Sequence, residues 1–180
     1  MELTQKKIYT TEDIYALPEG QRAELIDGQM YMTAPPRAVH QRISYATARK
    51  ISNYIDHKKG DCEVFLAPFA VFLNADNKTY VEPDISVICD QSKPDEYGCN
   101  GAPDWIIEIA SPTDSNRDYG IKLFKYRTAG VREYWIVNPQ TRTVMVYNFE
   151  DESDTNQYTF DDEIPVRIYR DLILRISDLL

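Results

Sequence analysis

Several features are scarce in this sequence, and each scarcity narrows what the chain can be. No apolar run approaches the roughly 18 to 20 residues that a membrane-spanning helix needs, so no membrane span is expected. The N-terminal MELTQKKIYT has two lysines but no apolar stretch behind them, which argues against a secretory leader and for a cytoplasmic protein. Cysteine is limited to Cys62, Cys89 and Cys99, an odd set without CxxC spacing. Neither a zinc site nor a disulfide framework is indicated, and three reduced, packed thiols are expected. With only His40 and His57, a histidine-rich metal centre is not expected either, and any metal should be a hard ion held by oxygen.

Positive charge is also short. The net charge of -9 weighs against a nucleic-acid partner, because phosphate binding is largely an electrostatic contribution from Lys and Arg. The deficit is local, however. Glu150, Asp151, Glu152, Asp154, Asp161, Asp162 and Glu163 crowd one C-terminal stretch, and without these seven the remainder stands at -2. A basic face elsewhere is compatible with that balance.

The 180 residues, 43% of them hydrophobic and 27% charged, fit a single globular domain spanning 1–180. Thr10 or Thr11 before EDIYAL caps a short helix that Pro18 and Gly20 close. RAELIDGQMYMT places two strand-forming runs around Asp27-Gly28, the strongest short hairpin signal, with Glu24 on the first strand. From Arg37 to about Lys58 apolar residues recur at helical intervals until Gly60. CEVFLAPFAVFLN then reads as two short strands, VEPDISVIC as a third, QSKPDEYGCNGAP as a loop and DWIIEIAS as an apolar strand broken by Glu108. Pro112 and Asp114 lead into a helix of about fourteen residues that Gly130 stops; REYWIVNP and TVMVYNF form a strand pair, followed by an acidic loop and an apolar end. The fold class is α/β (α+β): one mixed sheet with helices packed on it and an N-terminal β-hairpin. No internal repeat or low-complexity linker is present.

Two acids stand in strands that read as buried. Asp84 lies in VEPDISVIC and Glu108 in DWIIEIA, where an ionised carboxylate needs a partner because desolvation is costly. That partner is an arginine in a buried salt bridge, a hydrogen-bonded strand end or, if the two strands are neighbours, a divalent ion shared by both carboxylates. Lys122 in KLFKY is either a solvated lysine paired with Asp118 one turn earlier, or is aimed back across the end of the Glu108 strand. Glu24 by itself reads as an exposed strand acid paired with Arg22 or a lysine.

Pro83-Asp84 followed by a strand containing Glu108 resembles the PD-(D/E)XK nuclease superfamily, except that Ala110 stands where the motif has lysine. More closely, ELIDG, the proline-rich stretch ending in His40, EPDISVI, APDWIIEIASP and KLFKYRTAGVREYWIVNP resemble, in this order, the Uma-two family of restriction endonucleases. The likeness runs from about Tyr9 to Tyr147. It implies a restriction-endonuclease-like core and a metal-dependent endonuclease that hydrolyses DNA phosphodiester bonds with Mg or Mn. Asp84, Glu108 and the Ile109 carbonyl would hold the ion, Lys122 would replace the missing lysine beside the attacking water, and Glu24 would complete the acidic cluster. His40 matches a family position and, with Arg37 and Lys125, is a candidate for contact with substrate.

The chemistry calls for these residue types. Water attacks a phosphodiester anion slowly until positive charge neutralises it, and lysine adds such charge without competing for the metal, orienting the water or helping to deprotonate it if burial lowers its pKa. Alanine at Asp84, Glu108 or Lys122 is therefore expected to cost orders of magnitude in rate while leaving folding largely intact. Arg42, Arg49 and Lys50 supply further cations on the long helix, although a solvated helix face accounts for most of them. No zinc finger, RNP-type aromatic pattern or basic arm is present. Cutting both strands of a duplex with one site per chain calls for a homodimer. The competing readings are a catalytically silent domain of the same fold that binds nucleic acid or protein, and a structural salt-bridge network in an interaction protein.

Overall fold

The computed structural model describes residues 7–111, 117–151 and 153–180. Its first element, α1 (Thr11–Tyr15), starts where the Asp13 carboxylate accepts the Thr10 N–H at 2.8 Å. The hairpin follows as β1 (Ala23–Ile26) and β2 (Gln29–Met32), with Asp27 and Gly28 at φ 50° and 73°, the two positive values that a tight two-residue hairpin turn demands. A side chain at Gly28 would also press on Ile8, its Cβ only 2.6 Å from the Ile8 Cγ2.

Helix α2 (Ala38–Lys58) ends one residue earlier than its glycine suggests. Lys59, not Gly60, takes the left-handed conformation at φ 54°, and the Gly60 N–H closes the last turn onto the Ile55 carbonyl at 3.0 Å. The chain continues through β3 (Glu63–Leu66), β4 (Val71–Phe72), β5 (Ile85–Ile88), β6 (Cys99–Asn100) and β7 (Trp105–Ile109). A π-helical turn (Asp118–Lys122) runs directly into α3 (Leu123–Ala129), which Gly130 stops at φ 97°. The expected start of this helix at Pro112 and Asp114 lies outside the described residues. Then come β8 (Glu133–Asn138), β9 (Thr143–Asn148), β10 (Thr155–Thr159), β11 (Ile164–Pro165), β12 (Ile173–Leu174) and a closing 3₁₀ turn (Ile176–Leu179).

Six strands form one mixed sheet in the order β10-β9-β8-β7-β5-β3, antiparallel everywhere except between β7 and β8. The parallel pair exists because the helical crossover between β7 and β8 returns the chain to the same end of the sheet. Side-chain alternation splits β7 between two cores. Trp105, Ile107 and Ile109 join Trp135, Val137 and α2 residues Ile43, Ile51 and Ile55 on one face, while Ile106 joins Tyr126, Tyr134 and Ile136 on the other. Trp105 and Trp135 are fully buried edge to face, 5.1 Å between centroids, each contributing about 1.5–3 kcal/mol by burial.

Several expectations are revised. Val71–Phe72 leaves the main sheet and pairs in parallel with β6, so the stretch read as a loop around Gly98 contains a strand. The acidic stretch is not a simple loop, since TNQYT within it pairs along β9 as the sheet's edge strand. Its acids are matched by surface arginines, among them Arg132 on Glu150 at 2.9 Å and Arg175 on Glu163 at 3.1 Å. Cys62 and Cys89 are joined in a disulfide and Cys99 alone is a buried free thiol, against the expectation of three thiols. The register Glu63↔Ile88 sets the residues just beyond each strand face to face, which a separation of 27 positions could not disclose.

Among the described residues, Glu133 is the one fully buried acid outside the cleft described below. It accepts hydrogen bonds from the Trp135 indole at 2.6 Å and from the backbone N–H groups of Arg167 and Ile168 at 2.9 and 3.0 Å, tying the C-terminal segment to the sheet. Glu133→Ala strands three donors in the interior, so a loss of about 3–5 kcal/mol in unfolding free energy is expected from urea denaturation. An unchanged midpoint would show that the clamp contributes nothing.

Candidate active site

The pairing of β5 with β7 fixes the centre of the site. Because Ile85 faces Ile107, the residues one step further, Asp84 and Glu108, stand opposite each other at the same end of the two strands. Asp84 is not in the middle of its strand, as its sequence context implied, but at the entrance to β5, where Pro83 interrupts the ladder. Its side chain keeps 16% of its surface exposed, whereas Glu108 is buried. The two are locked by crossed hydrogen bonds. The Ile109 N–H donates to Asp84 Oδ2 at 2.7 Å, and the Asp84 N–H donates to Glu108 Oε2 at 3.3 Å.

The helical turn after β7 brings Lys122 to the same place. Its Nζ lies 2.7 Å from Glu108 Oε1, 2.8 Å from Glu24 Oε1 and 3.7 Å from Asp118 Oδ1, so pairing with Asp118 and aim at the strand acids occur together. Glu24 is 2% exposed and accepts the Glu82 N–H at 3.0 Å. It does not pair with Arg22, which is held by Glu82 instead. Tyr126 donates its hydroxyl to Glu108 Oε1 at 2.7 Å, and Arg117 Nε lies 3.7 Å from Glu24 Oε2. His40, in the first turn of α2, approaches from the other side with Nε2 3.0 Å from Asp84 Oδ2. The structure therefore unites Glu24, Asp84, Glu108, Lys122 and His40.

Of the other candidates for substrate contact, Arg37 is exposed on the rim of the cleft. Lys125 is bound to Asp27 of the hairpin turn at 2.5 Å and does not line the cleft. Asp118, Arg117 and Tyr126 were not singled out as site residues from the sequence. Asp118 had a visible signal, its position one turn before Lys122, whereas Arg117 and Tyr126 had none.

Electrostatics follow from burial. Desolvation pushes Glu108 up to about 8 even though Lys122 pulls the other way, and Asp118 up to about 6 for the same reasons. Glu24 is also disfavoured by burial, but the charge and hydrogen bond of Lys122, the Glu82 N–H and Arg117 outweigh it and hold its carboxyl below the ordinary range. For Lys122, burial opposes the charge and is overcome by Glu108, Glu24 and Asp118, so its pKa is raised. The surrounding carboxylates thus favour the charged form of the lysine, the reverse of the lowering that burial alone would produce. Glu108 and Asp118, like Glu133 at about 7, bind protons in the folded chain that the unfolded chain releases. Stability from this source is complete below about 4.5 and is lost as pH rises through about 8. The urea midpoint should fall across that interval, with a shallower slope in Glu108→Gln; a midpoint that climbs there would contradict the assignment.

The cluster forms the floor of a cleft of about 400 Å³, walled by the first turns of α2, by Leu66 and Ala67, and by Pro139 and Gln140. None of the described acids between 150 and 163 lines it. The Asp84 and Glu108 carboxylates offer hard oxygen atoms, and Glu24 Oε2 is buried without a hydrogen-bond partner, a set that suits a small divalent cation better than a soft metal. Among the described residues, no three or more His, Cys, Asp or Glu side chains are spaced to hold an ion, so the fit is to a pair of carboxylates and not to a preassembled cage.

Comparison with known proteins bears on the family and the fold. An uncharacterized protein of Synechocystis, slr1290, is 25% identical over 135 residues, 74% of this chain and 70% of that protein. The crystal structure of "a putative nuclease belonging to DUF820" from Anabaena variabilis superposes with a TM-score of 0.76 at 26% identity, covering 94% of this chain and 96% of that one. No helix among the described residues is long and apolar enough to cross a membrane. The family model Uma2, described as "Putative restriction endonuclease", matches residues 11–176, and the chain belongs to that family.

Proposed function

We propose that this protein is a metal-dependent endonuclease acting on DNA phosphodiester bonds. The observation that carries the reading is the junction of Asp84 and Glu108 across β5 and β7 with Lys122 beside them, at the floor of an open cleft. Asp84, Glu108 and the Ile109 carbonyl would hold the ion. Magnesium or manganese bound there supplies charge neutralisation at the phosphate and makes a bound water more acidic.

The chain's own residues do the rest. Lys122 is a positive charge within the acidic cluster, suited to orienting a water and countering charge that builds on phosphate oxygens. Tyr126 and the Asp84 N–H fix the two oxygens of Glu108, so its carboxylate needs little rearrangement. His40 steadies Asp84, while Arg37 at the rim and Arg117 within the cleft add charge facing the substrate. Helix α2 starts at the cleft with no side chain capping it and no acid in its first turn, so its positive end adds to that field.

A catalytically silent binding module is the second reading. It is favoured by one observation: Lys122 already bridges Glu24 and Glu108 and satisfies charge that an ion would otherwise meet. Incubating supercoiled plasmid with the protein and manganese separates the two. Nicking or linearisation by the wild type supports the enzyme, and an unchanged plasmid, with single-stranded DNA also uncut, favours the silent module. Cutting both strands of a duplex would bring two copies together, so a homodimer belongs to the duplex form of the proposal and is read by sedimentation.

A further inference from the structure

We infer that the substrate enters this cleft as an unpaired strand and that Tyr45 is the platform on which one of its bases stacks. The inference deepens the endonuclease reading and rests on it. Three observations carry it. The reactive groups are recessed, since Glu24, Glu108 and Lys122 are 2–4% exposed and only Asp84 offers appreciable surface. A scissile phosphate must bring its sugar down between α2 and the Leu66 wall, which a strand with rotatable, unstacked nucleotides does more readily than a duplex whose bases are paired and stacked.

The second observation is the rim. Val39, Tyr45 and Leu66 all line the cleft and expose 41%, 60% and 39% of their surface. Such apolar surface does not match the hydrated phosphate exterior of a duplex, but it matches a base and the apolar side of a sugar. Tyr45 is also held, with the Arg49 guanidinium 5.6 Å from its ring centroid, an arrangement that orders the ring and places a cation beside the strand's path.

The third is charge. Net charge is -9, and of the cations that line the cleft Arg22 is engaged by Glu82 and Lys122 by Glu24 and Glu108, so fewer charges remain for the long run of phosphates on which duplex affinity depends. Stacking tolerates that shortage because each base contributes through its π-face and not its charge.

The experiment uses the full chain, without added metal, and a fluorescein-labelled deoxyoligonucleotide presented single-stranded or annealed to its complement. Anisotropy should show tighter binding of the single strand, and Tyr45→Ala should weaken that binding about ten- to hundredfold while leaving duplex binding unchanged. Tyr45→Phe should retain it. With 2-aminopurine in the strand, wild type and Tyr45→Phe should quench the fluorescence by stacking and Tyr45→Ala should not. Equal affinity for duplex and single strand, or equal affinity and quenching in Tyr45→Ala, overturns the inference. Cleavage with manganese is scored separately. A wild type that cuts duplex as well as single strand removes the inference and keeps the endonuclease, whereas a wild type that cuts nothing yet binds single strands through Tyr45 removes the endonuclease and keeps the inference.

Discussion

Replacing Lys122 with alanine should lower the unfolding free energy by about 3–5 kcal/mol as well as abolish nuclease activity. The sequence alone led to a different expectation, loss of rate in a well-folded protein. The difference arises because Lys122 is 4% exposed and its ammonium group lies within 4 Å of three carboxylates, two of them at hydrogen-bond distance. Without it, Glu24, Glu108 and Asp118 face one another in a medium that screens poorly, and protonation relieves only part of the repulsion. The folding loss and the catalytic loss are separable. Adding Glu108→Gln to Lys122→Ala should recover part of the stability at a pH above about 8, where the acid would otherwise be ionised, and should recover no activity. A double variant no more stable than Lys122→Ala would mean that the cluster is held by packing and not by charge.

Asp84→Asn should reduce manganese-supported cleavage by about two to three orders of magnitude with an almost unchanged urea midpoint. Asp84 is the most accessible of the acids in the site, sits at a strand entrance and not within the ladder, and Asn retains an oxygen for the Ile109 N–H. The charge is therefore removed at small cost to the fold. Titration calorimetry with manganese checks the same residue without turnover, with binding in the wild type and markedly weaker binding in Asp84→Asn as the expected pair. Equal cleavage by the two proteins would end the assignment of Asp84 as an ion ligand. These variants complement each other: one reports on charge the fold depends on, the other on charge that the fold merely carries.

The hairpin around Asp27-Gly28, the long helix, the Glu108 strand and the strand pair after Gly130 were legible in the sequence because each is written in local chemistry: a two-residue turn, a helical period, an apolar run. The same locality explains the errors. Val71–Phe72 has strand-forming residues, yet which sheet it joins depends on Cys99 and Asn100 lying beside it. TNQYT was obscured by the acids around it, although its backbone completes the edge of the sheet. The Cys62–Cys89 bridge depends on a register, and spacing along the chain carries no register.

What the sequence determined by itself was which side chains are candidates for the site, because a carboxylate in an apolar strand is costly enough to demand an explanation and two of them demand a shared one. What only the tertiary structure decided was their arrangement: that Asp84 and Glu108 face each other, that Glu24 comes in from a separate hairpin, and that Lys122 lies within 4 Å of three acids, which favour its charged form. These are consequences of strand register and of the turn of a helix, which fix distances of a few ångström between residues up to about a hundred positions apart, and electrostatic energy depends on those distances and not on order along the chain.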